Sequence, residues 1–146
     1  MDRPHYEIEY SLPLKVYLFV SEGKHGRVKK IVKFNLIQKD LFNLGFGDWK
    51  EDDHDFDDLV VTDNGDMEMV LSTVIKITGK FLYMNPGVSV YLTGSTASRT
   101  RLYRLIISNN YEIIRREYNV WGYWHGGWCP FEKNVNYEAF LVSKLL

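Results

Sequence analysis

The chain has 146 residues and a mass of 17.2 kDa, the size of one ordinary domain with its own hydrophobic core. Its formal net charge of −1 excludes a global positive field that would attract nucleic acid or a membrane, so any such binding needs a local patch. A single cysteine excludes an intramolecular disulfide framework. No apolar run approaches the ~20 residues of a membrane span, and residues 1–6 lack the apolar core of a signal peptide. We therefore expect a cytoplasmic protein that does not enter a membrane.

The first part of the chain contains four predicted strands. Apolar and polar side chains alternate there, which is the pattern of half-buried strands. The turn-rich stretch 21–26 is predicted as a hairpin loop, so an antiparallel meander is the simplest assembly. The four strands are predicted at residues 6–10, 15–20, 27–37 and 41–49.

An acidic stretch and a long helix follow. Residues 50–58 are predicted as a solvated loop; a weak divalent-cation site is the open alternative, although the glycine and glutamate of an EF-hand are missing. Residues 59–62 are predicted as a short edge strand. Asn64 or Gly65 is predicted to cap the long helix, which residues 85–87 end. Its core-facing stripe consists of Met67, Val70, Leu71, Val74, Ile77 and Phe81.

The second half is predicted to begin with a strand at 88–93, apolar on both faces as in a central strand. Ser98 is predicted to cap a second helix from Arg99 to about Asn109. The remaining predicted elements are a short helix at 111–117, a strand at 118–124, a loop at 125–130 and a strand at 137–142. The pattern predicts one α+β domain over residues 1–146: an antiparallel sheet of about five to seven strands, with one long helix and one or two shorter helices packed on it.

The corner where the strand at 88–93 meets the second helix is the candidate ligand site. A glycine followed by hydroxyl side chains at a helix N-terminus suits an anion such as phosphate, and arginine forks match phosphate oxygens in pairs. Neither a Walker loop nor a dinucleotide-binding glycine pattern is present. The open alternative is that the arginines are solvated and pair with Glu112 or Glu117. The predicted ligand-binding residues are Gly94, Ser95, Thr96, Ser98, Arg99, Arg101 and Arg104.

The C-terminal part of the chain is rich in aromatic side chains. Exposed rings beside arginines would form a stacking surface for single-stranded nucleic acid. The open alternatives are a second hydrophobic cluster against the sheet and an interface between two copies of the chain. The rings concerned are Trp121, Tyr123, Trp124, Trp128, Phe131, Tyr137 and Phe140.

Four segments of the chain carry a resemblance to a known family. They are FNLGFGD at 42–48, NGD at 64–66, GST-x-x-RTRLY at 94–103 and NYEAFLV at 136–142. Together they resemble an uncharacterised bacterial family known only as a domain of unknown function. The resemblance implies a small single-domain bacterial protein and brings no established activity. Small stand-alone proteins of this kind are often toxins paired with a short antitoxin, which is an argument by analogy.

Two functional hypotheses follow. In the first, the protein binds a nucleotide or RNA at the corner; in a toxin-like ribonuclease, an arginine with His125 or Tyr103 would act on the scissile phosphate. In the second, the chain is a protein-interaction module without enzymatic activity, which forms a homodimer or holds a small partner protein through its aromatic region. Neither hypothesis involves a cofactor or a metal, and no catalytic residue is assigned.

Overall fold

The structure is a computed structural model, and it describes residues 4–11, 15–49, 64–94 and 96–145. These residues form eight strands and three helices, which confirms the α+β class. The predicted loop at 50–58 and strand at 59–62 lie outside the described residues. The strands are β1 (Glu9–Ser11), β2 (Val16–Gly23), β3 (Gly26–Gln38), β4 (Leu41–Asp48), β5 (Ser89–Leu92), β6 (Tyr118–Trp124), β7 (Gly127–Pro130) and β8 (Ala139–Lys144). The helices are α1 (Met67–Met84), α2 (Ala97–Asn109) and α3 (Tyr111–Ile114).

The chain divides into two compact units, and each is described by itself. The first unit comprises Met1–Asn35 and Leu44–Lys80. The second unit comprises Leu36–Asn43 and Phe81–Leu146. Strands β3 and β4 and helix α1 each contribute residues to both units.

In the first unit, β1, β2 and β3 pair as the antiparallel meander that the sequence predicts. The alternation predicted for β2 is present, and the structure shows which face is buried: Tyr17 and Phe19 are buried, while their neighbours are only half-buried. Tyr17 packs edge-on against Phe34 with ring centroids 5.7 Å apart. The predicted loop at 21–26 is shorter in the structure, because β2 and β3 continue to a two-residue turn at 24–25.

The predicted strand at 6–10 is only partly present, because its first residue is bound to α1. The Tyr6 backbone N–H donates to Thr73 Oγ1 at 3.0 Å. The Tyr6 hydroxyl donates to Asp66 Oδ2 at 2.6 Å. These bonds hold residue 6 at the N-terminal half of the helix, and strand pairing with β2 starts only at Glu9.

Helix α1 buries most of its predicted stripe but does not use the predicted cap. The residue before the helix is Asp66, whose carbonyl oxygen accepts from the Val70 N–H at 3.0 Å. Asn64 is buried and bonds to the β2–β3 hairpin instead, so the helix begins two residues later than an Asn64 cap would place it. The buried stripe residues are Val70, Leu71, Val74, Ile77 and Phe81.

In the second unit the strand order is β4-β5-β8-β6-β7. The sheet is mostly antiparallel, as predicted, but β4 and β5 run parallel. The parallel pair arises because β4, α1 and β5 form a strand–helix–strand crossover, which returns the chain in the same direction. Strand β5 lies between two neighbours, as its apolar faces predict.

The prediction of a loop at 125–130 is wrong for its second half, which is β7. Strands β6 and β7 are joined by a two-residue turn at His125 and Gly126, with φ of 48° and 81°. Two consecutive positive φ values are typical of the turn whose twist matches that of paired strands. The glycines at 126 and 127 therefore serve a hairpin rather than an irregular loop.

One face of this sheet, called the inner face here, is buried. Its residues include Phe42, Val90, Leu92, Val120, Phe140 and Val142. Phe81 of α1 contacts Phe42 with centroids 5.1 Å apart. Phe131 contacts both Tyr111 of α3, at 4.8 Å, and Phe140, at 6.2 Å.

Candidate functional site

Thr96, at the corner between β5 and α2, is the N-cap residue of the helix. This corrects the prediction that Ser98 caps it. Thr96 has an extended backbone (φ −132°, ψ 162°), and its Oγ1 accepts the Arg99 N–H at 3.2 Å. That is the bond of an N-cap residue, so α2 starts at Ala97 rather than Arg99. Ser98 lies in the first turn, where it is exposed.

Gly94 is required by the packing of the corner itself. A Cβ at this position would lie 2.4 Å from Arg99 Cβ and 2.5 Å from the Thr100 backbone nitrogen. The Gly94 N–H donates to Thr100 Oγ1 at 3.0 Å. The amide that the sequence assigns to a ligand is therefore engaged within the corner. Ser95 lies outside the described residues.

The three arginines of the corner differ in environment. Arg101 is exposed, whereas Arg99 and Arg104 are half-buried. Arg101 and Arg104 are three residues apart and share one side of α2. Among the described residues neither of them forms an ion pair, and Glu112 pairs with Arg115 at 3.8 Å. The first turn of α2 also contains no acidic residue.

Tyr103 does not face the solvent at this corner. Its side chain is buried, and burial raises the pKa of the Tyr103 hydroxyl to about 12, with Arg99 lowering it in part. Because this hydroxyl is buried and holds its proton tightly, it is poorly placed to act on a phosphate at the surface. His125 is exposed in the β6–β7 turn, with its ring centroid 4.2 Å from that of Trp124.

Tyr103 leads to a prediction about stability at high pH. Its pKa is about 10 in an unfolded chain and about 12 in the fold, so the folded state holds the proton more tightly. The stability from this group is fully present below about pH 10 and is lost as the pH rises through about 12, at about 1.4 kcal/mol per pH unit. Urea unfolding of the wild type and Tyr103→Phe from pH 9 to 12 should show that extra slope in the wild type alone. Parallel pH profiles would contradict the burial of this hydroxyl.

The second candidate feature is the other face of the second unit's sheet, called the outer face here. Cross-strand pairing places Tyr91, Leu141, Trp121 and Pro130 on this face in one row. The next row contains Ala139, Tyr123 and Trp128. Further outer-face positions are Leu41, Asn43, Ser89, Asn119 and Ser143.

The outer face exposes aromatic rings. Trp128 contacts Tyr123 and Tyr91 with centroids 5.3 Å and 6.1 Å away. Trp121 and Trp128 are 39% and 42% exposed. Of the described outer-face side chains only Ala139 is buried. The aromatic region therefore divides, since Phe131, Tyr137 and Phe140 are buried on the inner side.

The corner and the outer face meet at one end of the sheet. Thr93, between β5 and the corner, donates its hydroxyl to the Glu138 carbonyl at 3.1 Å. The Glu138 N–H in turn donates to the Tyr123 carbonyl at 2.8 Å. The carboxyl ends of β5 and β6 therefore lie on either side of the start of β8, with the arginine helix following the first and the Trp124–His125 turn following the second.

The sequence did not indicate a cleft that the structure shows in the first unit. It measures about 390 Å³, and its lining includes Leu18 and Val20. Its basic side chains have neighbours: Arg27 pairs with Glu22 at 3.7 Å, and the Lys29 ammonium lies 5.1 Å from the Trp49 ring centroid. The other lining residues are Tyr6, Glu7, Glu9 and Phe19.

Comparisons with known proteins give a family and no activity. Within the described residues, no helix is long and apolar enough to cross a membrane, and no group of three or more metal-ligating side chains is present. No curated protein and no solved structure matches the chain. The model of a family of unknown function, DUF6934, matches residues 2–145, and the chain belongs to that family.

Proposed function

We propose that this protein binds a phosphate-bearing ligand at the corner between β5 and α2, and that RNA is the ligand class that fits best. The observation that carries the proposal is the placement of Arg101 and Arg104 side by side without an ion pair among the described residues. Of the three arginines of the corner, Arg99 lies in the first turn of α2, where a cation opposes the helix dipole at a cost of a few tenths of a kcal/mol to about 1 kcal/mol. A bound phosphate would remove that cost.

The corner supplies donors as well as charge. Thr96 Oγ1 accepts one hydrogen bond from Arg99, which leaves its hydroxyl proton for a ligand. The exposed Ser98 hydroxyl is a second donor. Arg101 and Arg104 provide the forked donors that match phosphate oxygens in pairs. In this proposal Gly94 shapes the corner and does not bind the phosphate, since its N–H is already bonded.

The proposal concerns binding rather than cleavage. A ribonuclease needs a general acid or base within reach of the scissile phosphate. Tyr103 is buried and does not meet that requirement. His125 is exposed in the β6–β7 turn, so a toxin-like activity would depend on His125.

The double substitution Arg101→Ala/Arg104→Ala is expected to weaken RNA binding. For each arginine–phosphate pair that the substitution removes, the slope of log K against log salt should become shallower by about 1, and the affinity should fall about tenfold or more. Fluorescence anisotropy with a labelled oligouridine of about ten nucleotides, measured across a salt series, gives both quantities.

The matched control for this experiment is Arg115→Ala/Arg116→Ala. Both of these arginines are exposed and precede β6, at the opposite end of the sheet from the corner. The control removes the same charge, so it separates a local site from a general electrostatic effect. Equal losses of affinity in the two double variants, or no loss in the first, would contradict the proposal.

The alternative function is contact with another protein or a second copy through the aromatic region. The observation that favours it is the exposure of Trp121, Trp124 and Trp128, because tryptophan is enriched at protein interfaces. Light scattering at low concentration distinguishes the alternatives. A mass of 17.2 kDa contradicts the homodimer, and twice that mass supports it.

A further inference from the structure

We propose that the outer face stacks the unpaired bases of a single-stranded nucleic acid, a proposal that rests on the phosphate site at the corner. The outer face presents four rings, those of Tyr91, Trp121, Tyr123 and Trp128. Every nucleobase has a flat π-face that stacks on such rings. A duplex hides these faces inside its helix, so the outer face selects unpaired strands.

The spacing of the rings suits several bases rather than one. Tyr91 and Trp121 both pair with Leu141 from opposite sides, so they lie two strand spacings, or about 10 Å, apart. Trp128 lies in the next row and extends over the sheet to contact both Tyr123 and Tyr91. The rings therefore form a group across three strands, with positions for more than one base.

The charge pattern of the outer face and the corner matches the two parts of a nucleic-acid strand. The strand residues of the outer face in the second unit carry no charge; between the rings lie small polar side chains such as Asn43, Asn119 and Ser143. The arginines of the corner follow at the end of β5. A strand of nucleic acid has uncharged bases for this face and phosphates for these arginines.

Glu138 offers a second test of the proposed path of the nucleic acid from the corner to the outer face. It is exposed and lies beside Thr93 and Tyr123 at the end of the sheet where the corner and the outer face meet. A carboxylate there repels a phosphate backbone that passes from the corner to the rings. Glu138→Gln is therefore expected to tighten the binding of a single strand at low salt.

The test compares Trp128→Leu and Trp121→Leu with Trp124→Leu as the matched control. Leucine keeps an apolar side chain and removes the ring. Trp124 is as exposed as the other two, at 47%, but alternates to the opposite side of β6 from Trp121 and Tyr123. The measurement is the affinity for an oligouridine of about ten nucleotides, for a duplex of the same length and for uridine monophosphate.

We expect Trp128→Leu and Trp121→Leu each to weaken oligouridine binding about tenfold, and Trp124→Leu to leave it unchanged. The duplex should bind more weakly than the single strand in the wild type. If the tryptophan variants bind like the wild type while Arg101→Ala/Arg104→Ala loses binding, the stacking surface is wrong and the phosphate site stands. If the wild type binds the duplex as well as the single strand, the proposal is overturned. It is also overturned if Trp128→Leu converts a dimer to a monomer without affecting RNA.

Discussion

Replacing Asp48 with asparagine is expected to lower the free energy of unfolding by about 3–5 kcal/mol. Asp48 Oδ1 accepts a hydrogen bond from the Lys30 ammonium at 2.5 Å, and the two side chains are only 8% and 1% exposed. Asparagine keeps the size of the side chain but removes its charge. The ammonium would then stay in the interior without the carboxylate, and desolvating an uncompensated charge is the costly step. Urea unfolding followed by tryptophan fluorescence measures the change.

The double variant Lys30→Met/Asp48→Asn separates charge from packing. Methionine fills the space of the lysine stem and carries no charge, so the pair becomes neutral. We expect the double variant to recover most of the stability that Asp48→Asn loses, because replacing a buried pair by uncharged residues is often nearly neutral. It also keeps the experiment informative if Asp48→Asn fails to fold. A loss below about 1 kcal/mol for Asp48→Asn would contradict the burial of the pair, since that is the size of an exposed ion pair.

The Lys30–Asp48 pair shows what the sequence pattern of the first unit predicts and what it does not. Alternation places Lys30 in one series with Val28, Val32, Phe34 and Leu36. In the structure Lys30, Val32 and Phe34 are buried, but Leu36 is exposed and Ile31 of the opposing series is buried. Alternation alone cannot predict that the lysine is tolerated there. Its partner lies 18 residues away at the end of β4, and only the pairing of the strands brings the two together.

In the second unit most predicted strands are present, but how they pair within the sheet is harder to predict from the sequence. The parallel pairing of β4 with β5 follows from the strand–helix–strand order, which is the usual signal for a crossover. The apolar character of residues 88–93 on both faces was consistent with that signal. The strand β7 was missed because Gly127 and Pro130 resemble loop residues, whereas the His125–Gly126 turn has the positive φ values of a hairpin.

At the corner between β5 and α2, the sequence predicts the strand and the helix but not the hydrogen bonds between them. The glycine–hydroxyl corner is present, but Thr96 rather than Ser98 caps the helix, because the extended residue is the earlier of the two. The Gly94 N–H donates to Thr100 Oγ1 instead of to a ligand. This hydrogen bond depends on where the helix places Thr100, which the glycine–hydroxyl pattern does not predict. The division of the aromatic region into buried and exposed rings depends on strand register, since each step of one residue changes the face.

Asn64→Ala is expected to be the second destabilising substitution, lowering the free energy of unfolding by about 1–3 kcal/mol. Asn64 is 1% exposed and its amide group joins three parts of the β2–β3 hairpin. Its Oδ1 accepts from the His25 N–H at 2.6 Å, and its Nδ2 donates to Ser21 Oγ at 3.0 Å and to the Gly26 carbonyl at 2.9 Å. Alanine would remove these bonds from a buried position. The His25 N–H and the Gly26 carbonyl belong to exposed residues that water can reach, and the Ser21 hydroxyl keeps its bond to Asp66, so the loss stays in the range of about 1–3 kcal/mol.

The close approach of Gly23 gives an independent way to test the same contact. A Cβ on Gly23 would lie 1.9 Å from the Asn64 carbonyl oxygen, so Gly23→Ala must push residue 64 away from the hairpin. That movement breaks the bond from the Lys24 N–H to the same carbonyl, which is 3.0 Å long. We therefore expect Gly23→Ala and Asn64→Ala to destabilise less in combination than the sum of their separate effects, because both disrupt one contact. The exposed Asn136→Ala is the control for loss of an asparagine, with an expected change within about 0.5 kcal/mol. If the changes in unfolding free energy caused by Gly23→Ala and Asn64→Ala add fully in the double variant, Asn64 stabilises the fold through contacts other than those with the hairpin.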